Sequence, residues 1–571
     1  MNEANVAIWL IMIPGGALAL AALLALPGRA WRLPLTPLGA LPGLAAYFWL
    51  PLGSRAAYPW LLLGTEFHID STGRGILLLT SVLWLAAGIY ALGYLRGSPR
   101  APTFHLFFLL AMAGNFGLVV AADAVSFYFF FALMSFAAYG LVVFLRSDEV
   151  WRAGRVYMVL VILGEVALFT GLALMVHQAG TLELAALAAA PPRGLALVLL
   201  VGGFGVKAGM FPLHVWLPLA HPVAPVPAHA VLSGAMVKAG LLGWLRLLPV
   251  ENGEMPGLGL ALLALGLTGA YLGVAVGIMQ SRPKTILAYS SVSQMGLITS
   301  GVGLALAFPE ISAEILIGVL LYAVHHAVTK GALFLGIGVA ERVQAPWVVA
   351  ALILPALVLA GLPLTSGAAA KTALKLPLSG AAAWWIDHLT LVFAIAALGT
   401  TLLMARFLWR MRWLPGKPGG LPWTMTAPWV VLSLGTLVLP WLVAPELARM
   451  SLTAKKMWTL SWPLLLGSLI AGVSLRLPAT WRLPSCPEGD LLVPLERLGE
   501  KLLTHLTSRP GLWRPMGGTT HNRIVVYANA LWWRLRRLAA GSERFLLTWE
   551  VTATLFLALV VLVFALLALG W

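Results

Sequence analysis

One cysteine, Cys486, stands in 571 residues. That scarcity excludes an internal disulfide framework, a Cys-ligated zinc site and an iron–sulfur cluster built from this chain alone. Charge is almost as scarce: Asp, Glu, Lys and Arg make up 10% of the residues, against about 25% in an average soluble domain. Apolar residues are 60% of the chain and the mean hydropathy is +0.91. A globular core cannot bury that much apolar surface, so lipid is the solvent for most of the chain and a soluble enzyme is excluded. Acid is the scarcer sign, with 21 Asp plus Glu against 37 Lys plus Arg and a formal charge of +16. In a membrane protein such an excess reports basic loops on the cytoplasmic side; no nucleic-acid partner is implied. No dinucleotide-binding glycine loop or P-loop appears, so redox chemistry, if it matters, belongs to partners. Met1 to Ala7 contains Glu3 but no Lys or Arg, so it lacks the positive n-region of a signal peptide, and the first apolar run is expected to be a retained helix.

What is present is a long series of apolar runs. Stretches of roughly 20 residues between polar or Pro/Gly breaks fall at 4–26, 35–52, 75–95, 103–122, 124–145, 155–177, 194–218, 225–248, 256–279, 285–306, 312–340, 347–375, 385–408, 425–445, 458–476 and 550–570. They predict an all-α polytopic membrane protein of about sixteen helices. Lys and Arg cluster in alternate loops: Arg29 and Arg32, Arg96 and Arg100, Arg146 to Arg155, Arg282 and Lys284, Arg406 to Lys417. The opposite loops carry Asp123, Glu183, Glu251, Glu254, Glu310 and Asp387, with Lys455 and Lys456 the exception. The bias predicts an N-terminus on the outside, and the membrane expected is a bacterial or archaeal inner (cytoplasmic) one. Residues 491–549 differ: Leu495, Leu498, Leu502 and Leu506 recur at helical spacing opposite Glu496, Glu500 and Lys501, as in an amphipathic helix lying along a membrane surface.

Against this background four lysines within apolar spans are conspicuous: Lys207, Lys238, Lys330 and Lys371. A charge at the bilayer centre costs at least about 2.5–3.5 kcal/mol, so each needs a partner, a water-filled cavity or a function. Desolvation disfavours an ammonium ion, and a lysine so placed can release and retake a proton, as a relay requires. Lys207 sits in GVKAGMFP and Lys371 follows GLPLTSG. Proline and glycine in mid-span free backbone carbonyls, which a membrane tolerates only where protein or water satisfies them. One such helix is merely kinked; two, each with a lysine beside the break, are the mark of a repeated transporter fold.

Tyr322, His326 and Lys330 follow at four-residue spacing and share one helical face, from which His325 points away. An imidazole beside a lysine makes a proton-passing pair, since one ring nitrogen can donate while the other accepts. Zinc on His325 and His326 is not expected, because neighbours on a helix face differently and no third ligand is evident. His214 and His221 fall at a span end and loop, where they read as access or packing groups. His229 is about half a turn out of phase with Lys238 and ranks lower. Lys375, one turn beyond Lys371, is a secondary candidate.

The segments MFPLHVWLP (210–218), SGAMVK (233–238), KTILAYSSVSQMG (284–296), HAVTKGALF (326–334) and GLPLTSG (361–367) resemble, in order, the motifs of the antiporter-like subunits of the complex I superfamily (Mrp and NADH:quinone oxidoreductase type). The wording of HVWLPLAHP and SGAMVK is most similar to the large membrane subunit of formate hydrogenlyase and hydrogenase-4-type complexes. The resemblance implies two inverted five-helix repeats, each with a broken helix, and a central Lys/His chain carrying protons through water wires. Lys207 would serve the first half-channel, Lys238, His326 and Lys330 the connection, and Lys371 the exit. It divides the chain into N-terminal helices (1–102), a first repeat (103–248), a second repeat (249–410), further helices (411–490), the amphipathic surface segment (491–549) and a C-terminal anchor helix (550–571). Other membrane and redox subunits would be its partners and would hold any iron–sulfur cluster, flavin, nickel–iron centre or quinone; this chain would hold no cofactor or metal. The transported ion would be H⁺, with Na⁺ the alternative. A subunit of a multi-subunit cation/proton antiporter, or a structural non-pumping subunit, are the competing readings.

One departure bears on that scheme. The family pattern Trp-Glu-Leu-Met-Ser in the fifth span reads Phe131-Ala132-Leu133-Met134-Ser135 here, so Lys207 lacks the usual carboxylate at position 132. Either Glu165 in the sixth span supplies it from another helix, or the first half-channel is altered.

Overall fold

Four of the described helices start at a side chain that caps an orphan backbone N–H, a group that lipid cannot satisfy. The computed structural model describes residues 2–26, 29–250, 255–343, 345–380, 385–414, 419–474 and 486–494. Helix α1 (Glu3–Ala25) starts where the Asn2 side chain accepts the Asn5 N–H at 3.0 Å. The next crossing, expected as a helix over 35–52, is instead a 3₁₀ segment, Arg29–Ala40, running into the nine-residue α2 (Leu41–Trp49). Pro34 and Pro37 explain the change, since each removes a backbone donor. At 2.0 and 1.5 Å per residue the two pieces together reach about 37 Å. Arg32 donates to the Leu23 carbonyl at 2.7 Å near the end of α1, and Tyr58 donates to the Ala7 carbonyl near its start, so this stretch runs back along α1. A hairpin that the apolar pattern does not predict follows: β1 (Arg55–Tyr58) pairs antiparallel with β2 (Thr65–His68), Arg55 opposite His68.

Helices α3 (Ser71–Tyr94), α4 (Ala101–Val120), α5 (Ala124–Val142) and α6 (Asp148–Ala179) come next. The Asp123 carboxylate accepts the Ser126 N–H at 2.8 Å to cap α5, and the Ser147 hydroxyl accepts the Val150 N–H at 3.3 Å to cap α6. The short α7 (Leu184–Ala189) leads to an interrupted span, α8 (Gly194–Ala208) and α9 (Trp216–Val223). Another span is α10 (Val226–Val231), one π-helical turn over Leu232–Met236, and α11 (Lys238–Leu247). Then come α12 (Pro256–Ile278), α13 (Pro283–Ala307), α14 (Ser312–Arg342), an interrupted pair α15 (Pro346–Ala360) and α16 (Ser366–Lys375), and α17 (Ile386–Met411). Last among the described elements are α18 (Trp423–Val443), α19 (Pro445–Met450) and α20 (Ala454–Ser474).

Against sixteen expected crossings, eleven described helices are by themselves long and apolar enough to span a bilayer. Four of the remaining five take other forms: the 3₁₀–α2 stretch, the two interrupted spans, and α13, whose serine-rich face lowers its hydropathy. The fifth, 550–570, lies outside the described residues, as does nearly all of the amphipathic segment 491–549. The chain divides into two units, 1–58 with 64–490, and 59–63 with 491–571; of the second only 59–63 and 491–494 are described.

Small residues let helices meet backbone to backbone, the usual way membrane helices gain contact without a hydrophobic drive. A Cβ added at Gly266 on α12 would stand 2.5 Å from the Gly296 carbonyl and 2.6 Å from the Ser300 nitrogen of α13. Gly266→Val should therefore force these helices apart and destabilise the protein by about 1–3 kcal/mol. A lowered unfolding midpoint in detergent would register it; an unchanged midpoint would contradict the packing.

Candidate functional site

The first break follows Ala208. Gly209 takes the left-handed conformation, φ +66, and Pro212 offers no backbone donor, so α8 stops inside the protein. Lys207 is thereby placed in the last turn, where the helix dipole favours a cation. Its Nζ donates to Ser135 Oγ on α5 at 2.9 Å and lies 5.9 and 5.8 Å from the ring centroids of Phe131 and Tyr157. Glu165 reaches the same place from α6: it is buried, faces the Ser135 hydroxyl and acts electrostatically on Lys207. One of its oxygens has no hydrogen-bond partner among the described residues. Ala132 sits one turn before Ser135, so the carboxylate beside this lysine comes from α6, not α5.

The π-helical turn explains the setting of Lys238. In it the Val237 N–H reaches back five residues to the Leu232 carbonyl at 3.3 Å, and the Ser233 carbonyl accepts Lys238 Nζ at 2.9 Å. Such turns recur at functional positions because they re-aim one side chain without breaking the helix. Lys238 Nζ is also 2.7 Å from His326 Nδ1, which joins α11 to α14. One turn on either side of His326, Lys330 donates to the Leu287 carbonyl at 2.7 Å and Tyr322 to Gln294 Oε1 at 2.9 Å, both on α13. Gln294 continues to Thr400 of α17 at 3.1 Å. His325 leaves this stripe, as its position on the helix predicts, and its Nδ1 lies 2.9 Å from Ser366 Oγ at the start of α16.

The second break mirrors the first in chemistry. Gly361, at φ +104, ends α15, and Lys371 reaches back from α16 to donate to the Ala360 carbonyl. A Cβ on Gly361 would lie 2.8 Å from Lys371 Cδ, so only glycine meets both the backbone angle and the lysine. Lys375 follows one turn later, half-buried and within electrostatic reach of Lys456.

His214 and His221, expected at a span end and loop, are buried inside the protein, and so is His229. His221 on α9 and His229 on α10 are fully buried, with ring centroids 5.4 Å apart and Phe334 at 5.1 and 5.2 Å. None of their four ring nitrogens has a partner among the described residues. His229, ranked low because it is out of phase with Lys238, therefore belongs with His221. His214 lies inside the first break, fully buried, with Nε2 3.0 Å from Asp490 Oδ2. Asp490 and Tyr289 were not foreseen, and neither was Ser135. Ser135 does carry a signal, its place at the end of the Ala-Leu-Met-Ser run. Asp490 carries none, being 276 positions from its partner. Among the described residues no three His, Cys, Asp or Glu side chains group as a metal site.

Known proteins share this arrangement of helices. Residues 121–399 match the family described as NADH:quinone oxidoreductase/Mrp antiporter, TM. Hydrogenase-4 component B of Escherichia coli (strain K12) is 32% identical over 344 residues, 55% of this chain and 51% of that one, so the chain spans about half the length of this relative. NADH-quinone oxidoreductase subunit N of Desulforudis audaxviator (strain MP104C) is 31% identical over 431 residues, 67% of this chain and 82% of that one. The structure of the Mrp complex from Dietzia sp. DQ12-45-1b superposes with a TM-score of 0.73 at 23% identity, over 94% of this chain and 63% of its counterpart, a likeness of fold. With most of the subunit N relative covered at that identity and two interrupted helices carrying buried lysines, the chain belongs to the NADH:quinone oxidoreductase/Mrp antiporter family and is a multi-pass, antiporter-like membrane subunit of that type.

Proposed function

We propose that this subunit moves protons along a line from the Lys207–Glu165 pair through Lys238, His326 and Lys330 to Lys371 and Lys375, as part of a hydrogenase-type or respiratory redox complex. The observation that carries the reading is the 2.7 Å contact between Lys238 and His326, which ties α11, beyond the first interrupted span, to α14, ahead of the second. Two positive charges at that distance repel strongly in a low-dielectric interior. A proton arriving on one of the pair therefore expels the proton from the other, which is how a relay advances without moving helices. Glu165 supplies the carboxylate that position 132 lacks, from the neighbouring helix. Lysines and histidines whose hydrogen bonds go to carbonyls and hydroxyls, not to fixed counter-ions, keep both protonation states accessible. Electron transfer would belong to partner subunits holding iron–sulfur, flavin, nickel–iron or quinone groups. The basic loops put the N-terminus outside and the Arg282–Lys284 loop on the cytoplasmic side.

The test uses inverted membrane vesicles containing the intact native complex and a pH-sensitive dye. Lys371→Met should cut the initial rate of coupled acidification by roughly tenfold or more while the complex still assembles. Acidification at the wild-type rate would mean a structural, non-pumping subunit. A requirement for Na⁺ would instead favour the cation/proton antiporter reading, which membership of the family also supports.

A further inference from the structure

After α20 the chain returns to the membrane domain at Cys486–Asp490 and makes a short strap. Gln280 donates to the Cys486 carbonyl at 3.1 Å, Thr285 donates to Glu488 Oε1 at 2.8 Å, and Arg282 lies 3.6 Å from Glu488. Burial pushes the Glu488 carboxyl above its ordinary value, against the opposing effects of Thr285 and Arg282. These anchors belong to the α12–α13 turn, the basic-loop side. From there the strap dips inward. Gly489 (φ +88) packs against Leu219 of α9, and Asp490, itself at positive φ, aims its carboxylate at His214. Tyr289 of α13 faces the same carboxylate. Since Tyr289 lies seven residues beyond Arg282, Asp490 reaches about 10 Å below the anchoring turn.

We infer that Asp490 and His214 form the pair that delivers protons from the basic-loop side into the first interrupted helix. This rests on the proton relay proposed above. His214 is completely buried, one ring nitrogen is held by a carboxylate brought in from the surface, and the other, Nδ1, has no partner among the described residues. That is the arrangement a transfer needs: a proton taken at Nε2 and another released from Nδ1 leave the ring with its starting charge. His214 stands in the same break as Lys207, seven residues along. Among the described residues the titratable groups that face Asp490 include His214, Tyr289 and, on the strap itself, Cys486. Glu488 is engaged by Thr285 and Arg282 instead.

Asp490→Asn and His214→Gln test the inference in the intact complex, each keeping a hydrogen-bonding group while removing the proton-carrying one. The initial acidification rate in inverted vesicles should fall by roughly tenfold in either variant. Asp490→Glu, which keeps a proton-carrying group, should restore the rate. A purely structural strap would lower the amount of assembled complex in Asp490→Asn while leaving the rate per assembled complex unchanged. Either variant that assembles and pumps at the wild-type rate overturns the inference, provided Lys371→Met is inactive in the same membranes. If Lys371→Met is equally active, the relay itself has failed.

Discussion

Lys238→Met should abolish coupled proton translocation by the intact complex, lowering the initial acidification rate by roughly a hundredfold. Methionine preserves the length and apolar body of the side chain, so the helix pairing of α11 and α14 should survive and the assembled complex should be recovered in normal amount. What is removed is the group 2.7 Å from His326 that can hold a proton between the two halves. His326→Gln should have a similar effect, and the double variant should be no worse than either alone, because both remove the same link. An additive loss would mean the two groups act on separate paths. Translocation within twofold of wild type in Lys238→Met would refute a central relay through this residue.

The second large effect concerns the displaced carboxylate. Glu165→Gln should reduce translocation by roughly tenfold or more, since Lys207 would then have only the Ser135 hydroxyl and two aromatic faces around it. The informative variant is the double one, Glu165→Gln with Ala132→Glu, which returns an acid to the α5 position one turn from Ser135. Recovery of activity there would establish that Lys207 needs an anion and that α5 and α6 are interchangeable sources of it. If Glu165→Gln alone pumps normally, the acid on α6 is a packing detail and protons reach the central line by another way. Both measurements need an assay of assembly beside the assay of transport, because an unpartnered buried lysine also costs stability.

The four lysines were legible because charge is so scarce: in spans otherwise free of ionisable groups, each stands against a cost that only a partner or a function can offset. The breaks beside Lys207 and Lys371 were equally legible, since Gly209, Pro212 and Gly361 impose backbone geometry locally. The stripe of Tyr322, His326 and Lys330 follows from helical period alone, and the hydrogen bonds to Gln294, Lys238 and Leu287 fall along it. The π-helical turn before Lys238 was not legible. No residue in Leu232–Met236 demands it; it arises where Gly234 packs against Leu83 and the Ala327 carbonyl, a tertiary contact.

Composition and period thus determined by themselves that this chain is a helical membrane protein, where its helices break, and which lysines lie in spans where a charge is costly. These are local or additive properties, set by residue type and by spacing along one helix. Tertiary structure alone decided which group faces which: Glu165 rather than position 132 beside Lys207, His229 beside His221, and Asp490 against His214 across 276 positions. The reason is physical. A side chain's partner across a bundle depends on how whole helices rotate and dip against one another, and no single segment of the sequence carries that information.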